Sequence, residues 1–113
     1  MPFIDSKLTV PVTEAQKETI KSELGKLVTI INKPESFLMV GIEDNYDLYM
    51  AGQKLDKGAY VSVNLYGGAS SDAYDKLTGE ICALLEKELG IPGKSIYVSY
   101  QSTRDWGWNG SNF

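Results

Sequence analysis

The pattern of apolar and polar positions divides the chain into short extended segments and two long amphipathic ones. Pro2-Phe3-Ile4-Asp5-Ser6-Lys7-Leu8, bounded by Pro11, predicts a strand over 2–8. Thr13-Glu14-Ala15-Gln16 carries the spacing of a capping box. Behind it Ile20, Leu24, Leu27, Val28 and Ile31 recur at helical spacing, so a helix is expected over 13–31. Pro34 should end it, because the residue before a proline avoids helical geometry. The continuous apolar run Phe37-Leu38-Met39-Val40-Gly41-Ile42 suits a strand covered on both faces. Asp44-Asn45-Tyr46-Asp47 reads as a turn, Tyr49-Met50-Ala51 as a brief strand, and 53–58 as a polar loop.

The second half repeats the plan. Tyr60-Val61-Ser62-Val63-Asn64-Leu65-Tyr66 is rich in strand formers. Gly67-Gly68 breaks it, and Ser70 or Ser71 caps a helix whose stripe is Leu77, Ile81, Leu84, Leu85 and Leu89. Gly90 stands where a left-handed cap is favoured. Ser95-Ile96-Tyr97-Val98-Ser99-Tyr100 predicts the last long strand, and the tail from Trp106 to Phe113 is aromatic and turn-rich. Lys33-Pro34-Glu35-Ser36-Phe37-Leu38 after the first helix echoes Pro92-Gly93-Lys94-Ser95-Ile96-Tyr97 after the second. Two βαβ units side by side give an α+β fold: one domain over 1–113, a four-stranded mixed sheet with two helices on one face. The strands supply apolar residues for both sheet faces, and two tryptophans sit in a short tail. Self-association that covers the second face is expected.

Composition then narrows the function. At 113 residues, 42% hydrophobic and 23% charged, the chain suits a single modest core. A net charge of −4 with no basic cluster argues against nucleic acid. No apolar run approaches the ~20 residues of a membrane helix, and no signal peptide is evident, so no membrane partner is expected. The lone Cys82 points to a cytoplasmic location. There is no histidine, which excludes imidazole acid–base work and serine–histidine–aspartate triads. One cysteine excludes cysteine-rich metal sites. Gly67-Gly68-Ala69-Ser70-Ser71 lacks the lysine and spacing of a phosphate loop and reads as a turn leading into the helix. The carboxylates Glu14, Glu18, Glu23, Glu86 and Glu88 read as solvated helix faces.

What remains is Pro2. If Met1 is trimmed, Pro2 becomes a free secondary amine beside an apolar run, a base that needs no histidine. With Met1 joined to it, the same nitrogen is an amide and cannot be a base. Position alone also fits a proline that starts an edge strand, where a missing donor is harmless. Lys33 offers a charge for a substrate carboxylate and, near the amine, would favour its neutral form. It equally suits a helix C-terminus.

The ordered set "MPFI", "INKPESFLMVGI", "SIYVSY" and "GWNGSNF" resembles the macrophage migration inhibitory factor family of the tautomerase superfamily, from the first residue to the last. The resemblance implies two βαβ units assembled as a homotrimer, and a keto–enol tautomerase with Pro2 as the catalytic base. Implied substrates are small aromatic keto acids such as phenylpyruvate, and dopachrome-like compounds, with no cofactor and no metal. It places Lys33 at the mouth of the site and the Tyr66 backbone amide beside it. It places Tyr97, from the neighbouring subunit, with Trp106, Trp108 and Phe113 around an apolar pocket.

The sequence departs from the family pattern at several points. Ser99 stands where an asparagine touches the far end of the substrate ring, and Tyr66 and Trp106 stand where aliphatic residues are usual. Gly58-Ala59-Tyr60-Val61 lacks the cysteines of members with thiol oxidoreductase activity, so no such activity is expected. The alternative function that the resemblance implies is a cytokine-like ligand of a cell-surface receptor, secreted without a signal peptide.

Overall fold

The computed structural model describes residues 1–113. Strand β1 (Pro2–Leu8) leads into helix α1 (Glu14–Leu27), followed by β2 (Met39–Glu43) and two short strands, β3 (Tyr49–Met50) and β4 (Gln53–Lys54). Strand β5 (Ala59–Tyr66), helix α2 (Ser71–Leu89) and β6 (Ile96–Thr103) repeat the unit, and β7 (Gly107–Trp108) and β8 (Ser111–Asn112) close the chain. The main sheet has the order β2-β1-β5-β6. Each βαβ unit contributes a parallel pair, and the units join where β1 meets β5 antiparallel, with Pro2 opposite Leu65 and Leu8 opposite Ala59. The sheet is therefore mixed, and the α+β class holds.

The local signals explain the elements. Thr13 and Gln16 form the reciprocal capping box of α1, and Ser70 caps α2 by accepting from the Ala73 amide. Gly90 ends α2 at φ 69°, a left-handed conformation that costs glycine little. One core joins the helices to one sheet face: Ile4, Leu8, Val61, Val63 and Leu65 meet Ile20, Leu24, Leu77, Ile81 and Leu85. Each such fully buried side chain contributes about 1.5–3 kcal/mol.

Four expectations are corrected. The first helix stops at Leu27 and continues only as a 3-10 turn over Val28–Ile31, ending on Asn32 at φ 59° rather than at Pro34. Its last residues, Val28-Thr29-Ile30-Ile31, are all β-branched and crowd the preceding helical turn. The run over 37–42 is not a strand covered on both faces. Glu35–Phe37 form a 3-10 turn, and β2 lies at the sheet edge with Met39 exposed. The loop over 53–58 contains β4, which pairs with β3 as a hairpin.

The fourth correction concerns the open sheet face. It is polar: Asp5 and Lys7 pair at 3.0 Å, and Ser62, Asn64, Ser99 and Gln101 form a hydrogen-bonded strip with the Tyr60 hydroxyl. The exposed apolar groups gather at the rim instead, as Phe37, Met39, Tyr49, Tyr97, Trp108 and Phe113.

Candidate active site

Pro2 begins β1 and is buried. It lines a cavity of about 340 Å³ together with Met1, Phe3, Ser36, Phe37, Met39, Trp106 and Trp108. Apart from the Ser36 hydroxyl and the two indole N–H groups the side chains of this wall are apolar, so an amine here would be poorly solvated. The α-amine of Met1 shows the effect of the place. Burial first, and the Lys33 charge second, hold it below the ordinary 8.0.

Lys33 follows the left-handed Asn32, which turns the chain out of the helix and toward the end of β5. Its ammonium donates to the Tyr66 carbonyl at 2.9 Å. The Tyr66 amide donates to the Met1 carbonyl at 3.2 Å. Lys33, Tyr66 and the start of β1 thus share one end of the sheet. The lysine is half-buried.

Four aromatic rings run along this end. Phe37 meets Trp108 edge-on at 6.4 Å, Trp108 stacks on Phe113 at 6.4 Å, and Phe113 tilts against Tyr66 at 5.4 Å. The tail that carries two of them is a hairpin of β7 and β8, a form the sequence reading left as a turn-rich tail. Asn109 and Gly110, both at positive φ (52° and 92°), make its two-residue turn. The Phe113 amide donates to the Trp106 carbonyl at 3.0 Å and closes the hairpin onto the cavity.

Trp106, Trp108 and Pro2 line the cavity itself, while Lys33, Tyr66 and Phe113 are outside its lining and connect to it through neighbours: Tyr66 through the Met1 carbonyl, Phe113 through Trp108, and Lys33 through Tyr66. Tyr97 and Ser99 are elsewhere within the chain. Tyr97 pairs with Tyr60 and Ser99 with Ser62, five and three positions along β5 from Leu65, the partner of Pro2. That separation is roughly 17 Å for Tyr97 and 10 Å for Ser99. The exposed Tyr97 lines a larger cavity, about 590 Å³, with Lys7, Tyr46, Tyr49, Met50 and Tyr60. Ser99 is held in the polar strip, 2.6 Å from the Tyr60 hydroxyl.

Sequence reading missed Phe37 and Met39 as wall residues because it placed 37–42 in one strand, and Ser36 because it lies in the turn just before that run. Pro34-Glu35-Ser36 has turn chemistry that could have shown the break. No group of three or more His, Cys, Asp or Glu side chains gathers in the chain. No helix is long and apolar enough to cross a membrane.

Comparison with known proteins matches residues 1–113 to the family described as macrophage migration inhibitory factor. The Xenopus laevis macrophage migration inhibitory factor is 30% identical over 102 residues, covering 85% of each chain. A Trichuris trichiura homologue is 27% identical over 115 residues, covering all of both. Among solved structures, Leishmania major MIF2 superposes with a TM-score of 0.92 at 32% identity, covering 100% of this chain and 97% of its own.

Proposed function

The chain belongs to the macrophage migration inhibitory factor family, and from that membership we propose that it is a keto–enol tautomerase of small aromatic keto acids, with Pro2 as general base once Met1 is removed. Family membership supports a tautomerase or a cytokine-like function. The observation that favours the enzyme is the largely apolar cavity that Pro2 lines, at a chain end whose amine feels the Lys33 charge.

In this reading the free Pro2 amine, ordinarily near ~8 for an α-amine, is kept neutral by poor solvation and by the Lys33 charge. It takes a proton from the carbon next to the ketone. The electron pair of that C–H bond becomes the enol double bond, the carbonyl π pair moves onto oxygen, and the protonated Pro2 amine returns its proton to that oxygen, which restores the neutral base. Lys33 binds the substrate carboxylate. The Tyr66 amide, which loses its Met1 acceptor on trimming, supplies a second donor beside it. The aromatic wall of Phe37, Trp106, Trp108 and Phe113 receives the substrate ring.

Tyr97 and Ser99 enter this reading through assembly. We infer a homotrimer in which the rim aromatics are covered and Tyr97 of one subunit approaches the Pro2 cavity of its neighbour. Apolar groups collected at a rim, with a polar face between them, favour edge-to-edge contact over face-to-face stacking.

The test uses protein whose intact mass shows Met1 absent. It should tautomerise phenylpyruvate, and Pro2→Gly should lose roughly 10²–10⁴-fold in rate. Full activity in Pro2→Gly would place the base elsewhere.

A further inference from the structure

We propose that Tyr74 is a positioning residue for Lys33, its phenol oxygen pinning the glycine turn whose first peptide anchors the lysine ammonium. The inference rests on the reading of Lys33 as the carboxylate-binding cation.

The peptide between Tyr66 and Gly67 is bonded at both ends. Its carbonyl accepts from Lys33 at 2.9 Å, and its N–H donates to the Thr103 carbonyl of β6 at 2.9 Å. The carbonyl that holds the ammonium is therefore aimed by the plane of that peptide. Beyond it stand Gly67 and Gly68, at φ 86° and 113°. Two successive glycines resist rotation little, so the turn needs a second fastening to keep its peptide planes.

That fastening is the next amide. Ala69 N–H donates to the Tyr74 phenol oxygen at 2.9 Å. Tyr74 is itself fixed. It lies in the first turn of α2, with its amide donating to the Ser70 carbonyl at 3.0 Å. Its ring stacks on Tyr100 with centroids 4.4 Å apart and planes 20° from parallel. The Tyr100 hydroxyl bonds Thr78 at 2.8 Å and donates to the Tyr74 carbonyl at 3.0 Å. The turn is thus held by β6 on one side and by α2 on the other, and Lys33 hangs from its first peptide. Without the phenol oxygen the Ala69 amide loses its acceptor, the glycine pair is free to rotate, and the carbonyl at Lys33 tilts.

Tyr74→Phe removes that oxygen and keeps the stacked ring, so the variant should fold. In protein with Met1 removed, KM for a phenylpyruvate-type carboxylate should rise roughly three- to tenfold, the range for one lost hydrogen bond, with kcat kept. The methyl ester of the same substrate should be unaffected. In a Lys33→Ala background, Tyr74→Phe should add nothing. Backbone amide exchange should quicken at both Ala69 and Gly67.

Equal losses on acid and ester, or an effect additive with Lys33→Ala, would overturn the proposal. So would faster exchange at Ala69 with Gly67 unchanged. If Lys33→Ala itself does not separate acid from ester, the role given to Lys33 fails. The Gly67 exchange rate still decides whether Tyr74 holds the turn.

Discussion

The Tyr66 amide donates to the Met1 carbonyl, which carries the β1–β5 ladder one residue past the Pro2–Leu65 pair. Met1 therefore serves the sheet while it occupies Pro2. Trimming it ends one hydrogen bond, exposes one donor and creates one amine at the same place.

The amine of the untrimmed chain already reports on that place. Burial, then the Lys33 charge, lower its pKa from 8.0. The folded state thus disfavours the charged amine. Stability is highest above the ordinary value and falls as pH drops from 8.0 toward the folded value, where the unfolded chain binds the extra proton. The amine is mostly exposed, so the effect should be small. Denaturant midpoints on either side of pH 8.0, compared with an N-acetylated chain that lacks the titrating group, measure it. In Lys33→Ala the amine should titrate closer to its ordinary value. An unchanged titration would mean that Lys33 does not act at the site.

Lys33 should act mainly on binding. A hydrogen bond to a charged group is worth about 1.5–3 kcal/mol, so Lys33→Ala should cost roughly 10- to 150-fold in kcat/KM for a carboxylate substrate. Most of the loss should fall on KM, and a methyl ester should feel it far less. Removing the positive neighbour should also raise the pKa of the free Pro2 amine and move the rate profile to higher pH. Equal losses on both substrates with no pH shift would leave Lys33 a purely structural role.

The sequence made three of the four helix ends legible, because each of these is set by one or two side chains, whereas the end of α1 came earlier than Pro34 suggested. Thr13 with Gln16, Ser70 and Gly90 cap where their chemistry says they should. It was less informative wherever apolar residues serve an edge. Met39, Val40 and Ile42 read as interior strand, yet they sit in β2 at the border of the sheet. Composition cannot distinguish burial within a chain from burial between chains. The polar strip on the open face was written in the alternation Ser62, Asn64 and Ser99, Gln101, which was outweighed by the aromatic residues flanking it. Pro2 stood out by its place after Met1 in a chain without histidine, whereas the places given to Lys33 and the tail aromatics came through resemblance. Phe37 was missed because a proline turn rotates it out of the strand it was assigned to.

Gly25 shows how the loop beside the site rests on α1. A Cβ there would run into the Glu35 carboxylate, which leads the turn carrying Ser36 and Phe37. Alanine inside a helix is favoured over glycine by about 1 kcal/mol. Glu35 is exposed and can swing aside at some cost. Gly25→Ala should therefore be close to neutral alone and stabilising by roughly 0.5–1 kcal/mol in a Glu35→Ala background. Denaturant midpoints of the four proteins give the coupling. A loss of more than about 2 kcal/mol in both backgrounds would show that the backbone of the turn, not the glutamate, needs the glycine.

Tyr97 provides the sharpest test of a shared site. Within one chain it stands roughly 17 Å along the sheet from the partner of Pro2 and lines a different cavity. If it serves catalysis, it serves a neighbour. Pro2→Gly and Tyr97→Ala should each be impaired as pure proteins. Unfolded together in equal amounts and refolded as mixed assemblies, they should regain activity. In a ring where each site takes Pro2 from one subunit and Tyr97 from the next, about a quarter of sites draw both intact residues. Activity near that fraction of the unsubstituted protein, appearing only after joint refolding, is the expected result. Mixtures that stay as inactive as their components would mean that Pro2 and Tyr97 are not shared between neighbouring subunits, and a fully active Tyr97→Ala protein would mean that Tyr97 takes no part.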